Sequence, residues 1–262
     1  MQNYSLSVTH LLNFLDVTSG GPAKFLERNL LRLPEVKKSS LAYGSAMHSA
    51  LETAQKLVNT DSFSLPKVTA SYEKALESEH LPGAEEHRYR KHGKESLEHL
   101  FNDNFLILGK GSAPEQNITD VFLDEARVSG KLDRIDQNDN ELMVSDYKTG
   151  KPLTSFTTKD ENKAIKAWKQ RTQLIFYAIL LRSSPRFETK NKNIVGQMIY
   201  LEANNQKDFS RKYEPSTEET ERLTKLTKVV FKKIINLDLP DIKKYPETYA
   251  GILLFEEDLL NS

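Results

Sequence analysis

The chain has 262 residues, 38% hydrophobic and 28% charged, which describes a water-soluble globular protein with one large core or two small ones. Lys+Arg and Asp+Glu both number 37, so no global basic field points to nucleic acid, and such a partner would need a local patch. The absence of cysteine excludes disulfides, zinc–thiolate sites and cysteine-held iron–sulfur clusters; with no membrane-length apolar run and no signal peptide at Met1-Gln2-Asn3-Tyr4, the expected location is the cytoplasm.

Residues 5–32 read as two short helices. Ser5 or Ser7 can cap the first, whose apolar side is Leu11, Leu12, Phe14 and Leu15. Gly20-Gly21-Pro22 breaks it, and Phe25, Leu26, Leu30 and Leu31 recur at helical spacing before Arg32-Leu33-Pro34 ends the second. Met47, Ala50, Leu51, Ala54 and Val58 then form a helical stripe. His48 lies at its edge, with Gly44 one turn earlier on the same face. A small residue there lets another chain or a ligand approach the imidazole. His48 is either a half-buried hydrogen-bonding side chain or a metal ligand.

Residues 66–108 read as one or two long helices, with stripes through Val68, Tyr72, Ala75 and Leu76 and through Leu97, Leu100, Phe101, Phe105, Leu106 and Leu108. The charge run at 85–92 between them reads as a solvated helix face, so His87, His92 and His99 are not candidate ligands. At residue 118 the period becomes strand-like. One strand is expected over 118–128, with Glu125 inside it.

The next stretch carries the chemistry. Residues 130–136 and 142–150 read as two strands joined by the turn-forming Gln137-Asn138-Asp139-Asn140, hence a β-hairpin. Alternation places Leu142, Val144, Asp146 and Lys148 on one face, so a carboxylate and an ammonium follow two core residues. Asp133 ends the neighbouring strand. Two carboxylates and a lysine there can hold a divalent metal and a water beside a phosphate. The same residues also fit an ordinary ion pair at a strand end with Asp133 in the turn.

Residues 151–162 form a polar loop, and 163–181 a strong helix whose second half, 174–181, is apolar nearly all round and should be buried. Gln173 and Tyr177 share one face of it. Lys163, Lys166, Lys169 and Arg171 precede them, as either a surface helix end or a phosphate-contacting patch. A strand over 193–202 and an amphipathic helix over 214–237, capped by Ser216 or Thr217 and stopped before Pro240, follow. The tail 245–262 should dock through Tyr249, Leu253, Leu254 and Phe255.

In order, the features are Gly44-x-x-x-His48, Gly130-x-x-Asp133, Asp146-x-Lys148 and Gln173-x-x-x-Tyr177, preceded by Leu6-Ser7-Val8-Thr9 and Pro22-x-x-Phe25. The set resembles the RecB-type branch of the PD-(D/E)XK nuclease superfamily over about residues 5–202. The resemblance implies an α/β fold of the restriction-endonuclease type: a mixed central sheet flanked by helices, with a helical N-terminal part. The expected organisation is one nuclease domain over 1–262, with a mostly helical part at 1–110, a catalytic core at 115–205 and a C-terminal helical part at 214–262.

By the same resemblance, His48, Asp133, Asp146 and the Tyr147 carbonyl would hold Mg²⁺ or Mn²⁺. Asp133, Asp146 and Lys148 would be catalytic, and Gln173 and Tyr177 would support the site and meet DNA, with Lys166 and Lys169 adding phosphate contacts. His48, Asp133 and Asp146 should converge within about 5 Å of one point, the span of a coordination shell. Glu52 and Glu125 lie near the motifs without an assigned role. The implied function is a metal-dependent DNA nuclease, an exonuclease acting in recombination and repair as the nuclease domain of a longer helicase polypeptide or beside a helicase subunit. The alternative is an inert DNA-binding or scaffolding module. One departure stands out: many relatives hold an iron–sulfur cluster through a cysteine just before Pro-x-x-Phe and three near the C-terminus. Here Gly21 takes the first position and no cysteine follows, so the N- and C-terminal parts must close by packing alone.

Overall fold

In the computed structural model, which describes residues 4–35 and 38–262, the chain opens on a strand where a helix was expected. Strand β1 (Leu6–Ser7) leads into helix α1 (Val8–Leu15), and Ser7 is the cap, accepting from the His10 backbone N–H. Gly20, at φ +96°, ends the following 3₁₀ turn. Gly21 and Pro22 open α2 (Gly21–Phe25), which loosens into a π turn at Leu26–Leu30. Three helices follow: α3 (Ser39–Asn59), α4 (Leu65–Glu77) and α5 (Gly83–Asn102). The 66–108 stretch is thus two helices, parted before Pro82, which cannot continue a helix.

The strand expected over 118–128 is a correction. Asp124, at φ +54°, and Glu125 form a two-residue turn between β2 (Ala113–Leu123) and β3 (Ala126–Gln137). Both flanks are strand-like, so periodicity alone ran across the turn. The expected hairpin is present as β3 and β4 (Glu141–Lys148), paired antiparallel. Helix α6 (Glu161–Ser183), strand β5 (Asn193–Tyr200), the short α7 (Gln206–Phe209), β6 (Ser210–Tyr213), α8 (Thr217–Ile235) and α9 (Tyr249–Leu260) complete the chain. Ser216 caps α8 in a reciprocal box with Glu219.

The fold is α/β, with a mixed six-stranded sheet in the order β1-β3-β4-β5-β6 and β2 on the far side of β3. β1 and β4 pair parallel with β3 and β5 respectively, and the other pairings are antiparallel. β1 and β4 both lie along β3, at Val128–Ser129 and at Arg134–Gln137, leaving 130–133 open between them.

Residues 174–181 of α6 are all buried, as expected of a helix apolar on every side. α6 can lie this close because two strand positions facing it are glycine. A Cβ on Gly130 would stand 2.4 Å from Leu180, and one on Gly196 would stand 2.7 Å from the Leu174 Cβ. Phe14, Phe25 and Phe255 pack ring against ring, joining the N-terminal helices to α9. That contact supplies the closure expected from packing. Of the tail residues named above, Phe255 is buried, whereas Leu253 and Leu254 face outward at 38% and 55% exposure.

One buried acid gives a pH prediction. Glu256 accepts from the Trp168 indole N–H at 2.9 Å, and burial raises its carboxyl despite the nearby Arg222. As pH climbs through the ordinary carboxylate range, the unfolded chain releases this proton while the folded chain keeps it. Folding therefore loses stability until the raised pKa is passed. Glu256→Gln keeps an acceptor for Trp168 and removes the titration. Urea midpoints should then fall less for the variant than for the parent between pH 4 and pH 8; parallel curves would contradict it.

Candidate active site

At Asp133 the sheet parts. β2 pairs Pro114 with Arg134 and Gln116 with Leu132, but passes over Glu115 opposite Asp133. On the other edge the β3–β4 ladder stops at Arg134↔Ser145. β4 instead continues beside β5 as far as Lys148↔Tyr200. In place of the missing rung, Asp133 Oδ2 accepts the Tyr147 N–H at 2.8 Å. The divergence opens a cleft of about 660 Å³, and His48, Asp133, Asp146, Lys148, Gln173 and Tyr177 all line it.

His48 comes from α3. A Cβ on Gly44 would lie 3.3 Å from Thr149 Oγ1, so the glycine lets the chain after β4 run against this helix. His48 Nδ1 lies 3.0 Å from Asp133 Oδ1 and Nε2 lies 3.0 Å from the Tyr147 carbonyl. Burial alone would lower the imidazole pKa. The bond and charge of Asp133 and the charge of Asp146 outweigh it, and the net shift is upward.

Asp146, Lys148, Gln173 and Tyr177 form a closed network. Gln173 donates to Asp146 Oδ1 at 2.8 Å and to the Tyr177 hydroxyl at 2.7 Å, while its Oε1 accepts from Lys148 Nζ at 2.8 Å. The Tyr177 hydroxyl is 3.3 Å from both Asp146 Oδ1 and the Lys131 carbonyl. Lys148 Nζ stands 2.8 Å from Asp146 Oδ2 as an ion pair, and that buried oxygen has no further hydrogen-bond partner. Burial pushes the Asp146 carboxyl above its ordinary range; the Lys148 ammonium offsets part of this and the Asp133 charge adds to it. Burial, and then the charges of Asp146 and Asp133, hold the Tyr177 phenol well above its usual pKa.

The four cations expected to form a phosphate patch separate. Lys169 forms an ion pair with buried Asp16, Lys163 is 3.6 Å from Asp160, and Arg171 reaches toward the Tyr249 hydroxyl. Helical spacing sets Lys169 on the side of 166 and 173, but its ammonium is taken by Asp16, so Lys169 is a correction to the expected phosphate contacts. Lys166 stays beside the cleft, donating to the Lys151 carbonyl. Burial, and then Lys148, lower its pKa. Glu52 lines the cleft and is paired with Lys56. Glu125 lies in a separate hollow with Lys228 and Phe231.

Sequence reading missed two features. Glu115 escaped because the strand was begun at 118. Arg134, 5% exposed, lies beneath the site. It donates to Asp136 at 2.9 Å and to the Tyr147 hydroxyl at 3.2 Å, bracing the residue whose backbone meets both His48 and Asp133. An arginine between strand core residues was the available signal. Burial pushes the Tyr147 phenol up to about 12.

Among the described residues no three carboxylate or imidazole groups form a ready-made metal cage. The donor chemistry nevertheless fits a hard divalent cation: two carboxylates, one with a buried oxygen that meets only the Lys148 ammonium, a backbone carbonyl and an imidazole. A family model for the PD-(D/E)XK nuclease superfamily matches residues 5–249. The chain belongs to this superfamily. Membership supports a nuclease activity in general and use of a divalent metal as typical of the family. A search of the curated proteins gives no match. No helix among the described residues is long and apolar enough to cross a membrane.

Proposed function

We propose that this protein is a Mg²⁺- or Mn²⁺-dependent deoxyribonuclease that hydrolyses phosphodiester bonds. It acts as an exonuclease, as one nuclease domain over residues 1–262, in the cytoplasm, in recombination and repair. Its partners are DNA and a helicase domain or subunit, the setting that its RecB-type motifs imply. The observation that carries the reading is the Asp146–Lys148–Gln173–Tyr177 network in a cleft shared with Asp133 and His48.

Asp133, Asp146, the Tyr147 carbonyl and His48 would hold the ion, and His48 Nε2 would first give up its present contact with that carbonyl. When bound, a divalent ion polarises a phosphoryl oxygen and lowers the pKa of a bound water. Lys148 brings a point charge to the cleft. Asp146 and Gln173 fix its direction, so it can balance negative charge gathering on the phosphate without reorganising. Gln173 and Tyr177 hold Asp146 and meet the DNA strand. Lys166 adds a phosphate contact at the cleft edge.

End-labelled single- and double-stranded DNA, incubated with Mg²⁺, Mn²⁺ or EDTA, tests the reading. Cutting is expected with either metal and not with EDTA. Asp146→Ala should reduce it at least about 100-fold, as loss of a charged group at a reacting centre does. Bound but intact DNA under both metals would overturn the nuclease reading in favour of the inert DNA-binding module.

A further inference from the structure

The proposed reaction makes no use of Glu115 and Lys131, although both line the cleft beside Asp133. Lys131 is two residues before Asp133 on β3 and therefore on the same face of the strand. Its side chain is 62% exposed, and Nζ lies 2.7 Å from Glu115 Oε1. Glu115 is only 19% exposed and sits at φ +41° inside β2, a backbone region that glutamate seldom enters. The β2–β3 ladder also passes over it, between Pro114↔Arg134 and Gln116↔Leu132. Strain of this kind persists where the surroundings hold it, and it gathers at functional positions. Stability does not account for the arrangement, because an ion pair with so exposed a partner adds little to folding.

The charge balance gives the pair a purpose. Four carboxylates in the cleft, Glu52, Glu115, Asp133 and Asp146, face two ammonium groups, Lys131 and Lys148. A nucleic-acid strand brings more negative charge, and Lys148 is already held by Asp146 and Gln173. We infer that Lys131 is a second phosphate-binding residue, which grips the phosphate next to the one at Lys148, and that Glu115 positions its ammonium group. With Lys166 beside Gly150, the substrate strand then crosses from the α6 side of the cleft, past Lys148, to the β2 side. The inference rests on the nuclease reading above and adds the path of the strand.

Steady-state cleavage of a labelled single-stranded oligonucleotide, with a salt titration of binding in Ca²⁺, tests it on the full chain. Lys131→Met should raise KM on the order of tenfold, leave kcat within about twofold, and flatten the salt slope by about 0.7, the loss of one single-strand phosphate contact. Lys131→Arg, which keeps the charge, should restore both KM and slope. Glu115→Gln should raise KM by a smaller factor with the slope unchanged; a parental KM there removes Glu115 from the assignment. A purely structural Lys131 would lower the melting temperature without moving the slope. Parental KM and slope in Lys131→Met overturn the inference while the nuclease reading stands. A parent that cuts no DNA overturns both.

Discussion

Lys148→Met should slow DNA cleavage by at least about 100-fold, and on the order of 1,000-fold if the ammonium stabilises the developing charge directly. Methionine keeps most of the stem and removes the charge. The network predicts more than a missing cation. Asp146 loses the ammonium that offsets its burial, so its carboxyl rises further. Gln173 Oε1 also loses its donor. Lys148 is 28% exposed, so water replaces part of what is lost. A folding cost of about 1 kcal/mol is expected, a fall of roughly 2–4 °C in melting temperature. Single-turnover cleavage beside a thermal melt separates the two effects. A variant that cuts DNA at the parent rate removes Lys148 from the reaction.

Gly196→Ala should cost about 2–3 kcal/mol although it adds one methyl group far from any charge. The new Cβ would meet three Leu174 atoms at 2.7, 2.9 and 3.0 Å. One of them is a Cβ fixed to the helix backbone, so rotating the side chain cannot relieve the clash, and α6 itself must shift. Gln173 precedes Leu174 on that helix and Tyr177 follows it, so the shift also spreads the contacts that hold Asp146. The expected result is a melting temperature lower by roughly 4–12 °C, with cleavage reduced even at temperatures where the variant is fully folded. Urea denaturation and cleavage at low temperature check both halves. An unchanged midpoint would mean that α6 is not seated against β5 as described.

Residue pattern alone was enough for much of this protein. The β3–β4 hairpin was legible because turn chemistry at 137–140 separates two stretches of period two, and pleating then forces Asp146 and Lys148 onto the face of Leu142 and Val144. α6 was legible because a run apolar on every side has no stable place except inside a core. Gly44 and His48, one helical turn apart, were set on a common face by the helix period alone.

What pattern could not supply was everything settled by non-local partners. β1 is two residues long, too short for any periodic signal, and exists because β3 offers it a free edge. Lys169 looked like part of a DNA-facing row, but buried Asp16, 153 positions away in sequence, claims its charge. Glu115 reached the cleft through a strained backbone that residue type does not announce. Sequence by itself determined the long helices, the central hairpin, the superfamily and most of the chemical groups, since these follow from local spacing and residue identity. Only the tertiary structure decided which charges meet: long flexible side chains take the partner that folding brings within reach, and electrostatic preference is settled in space.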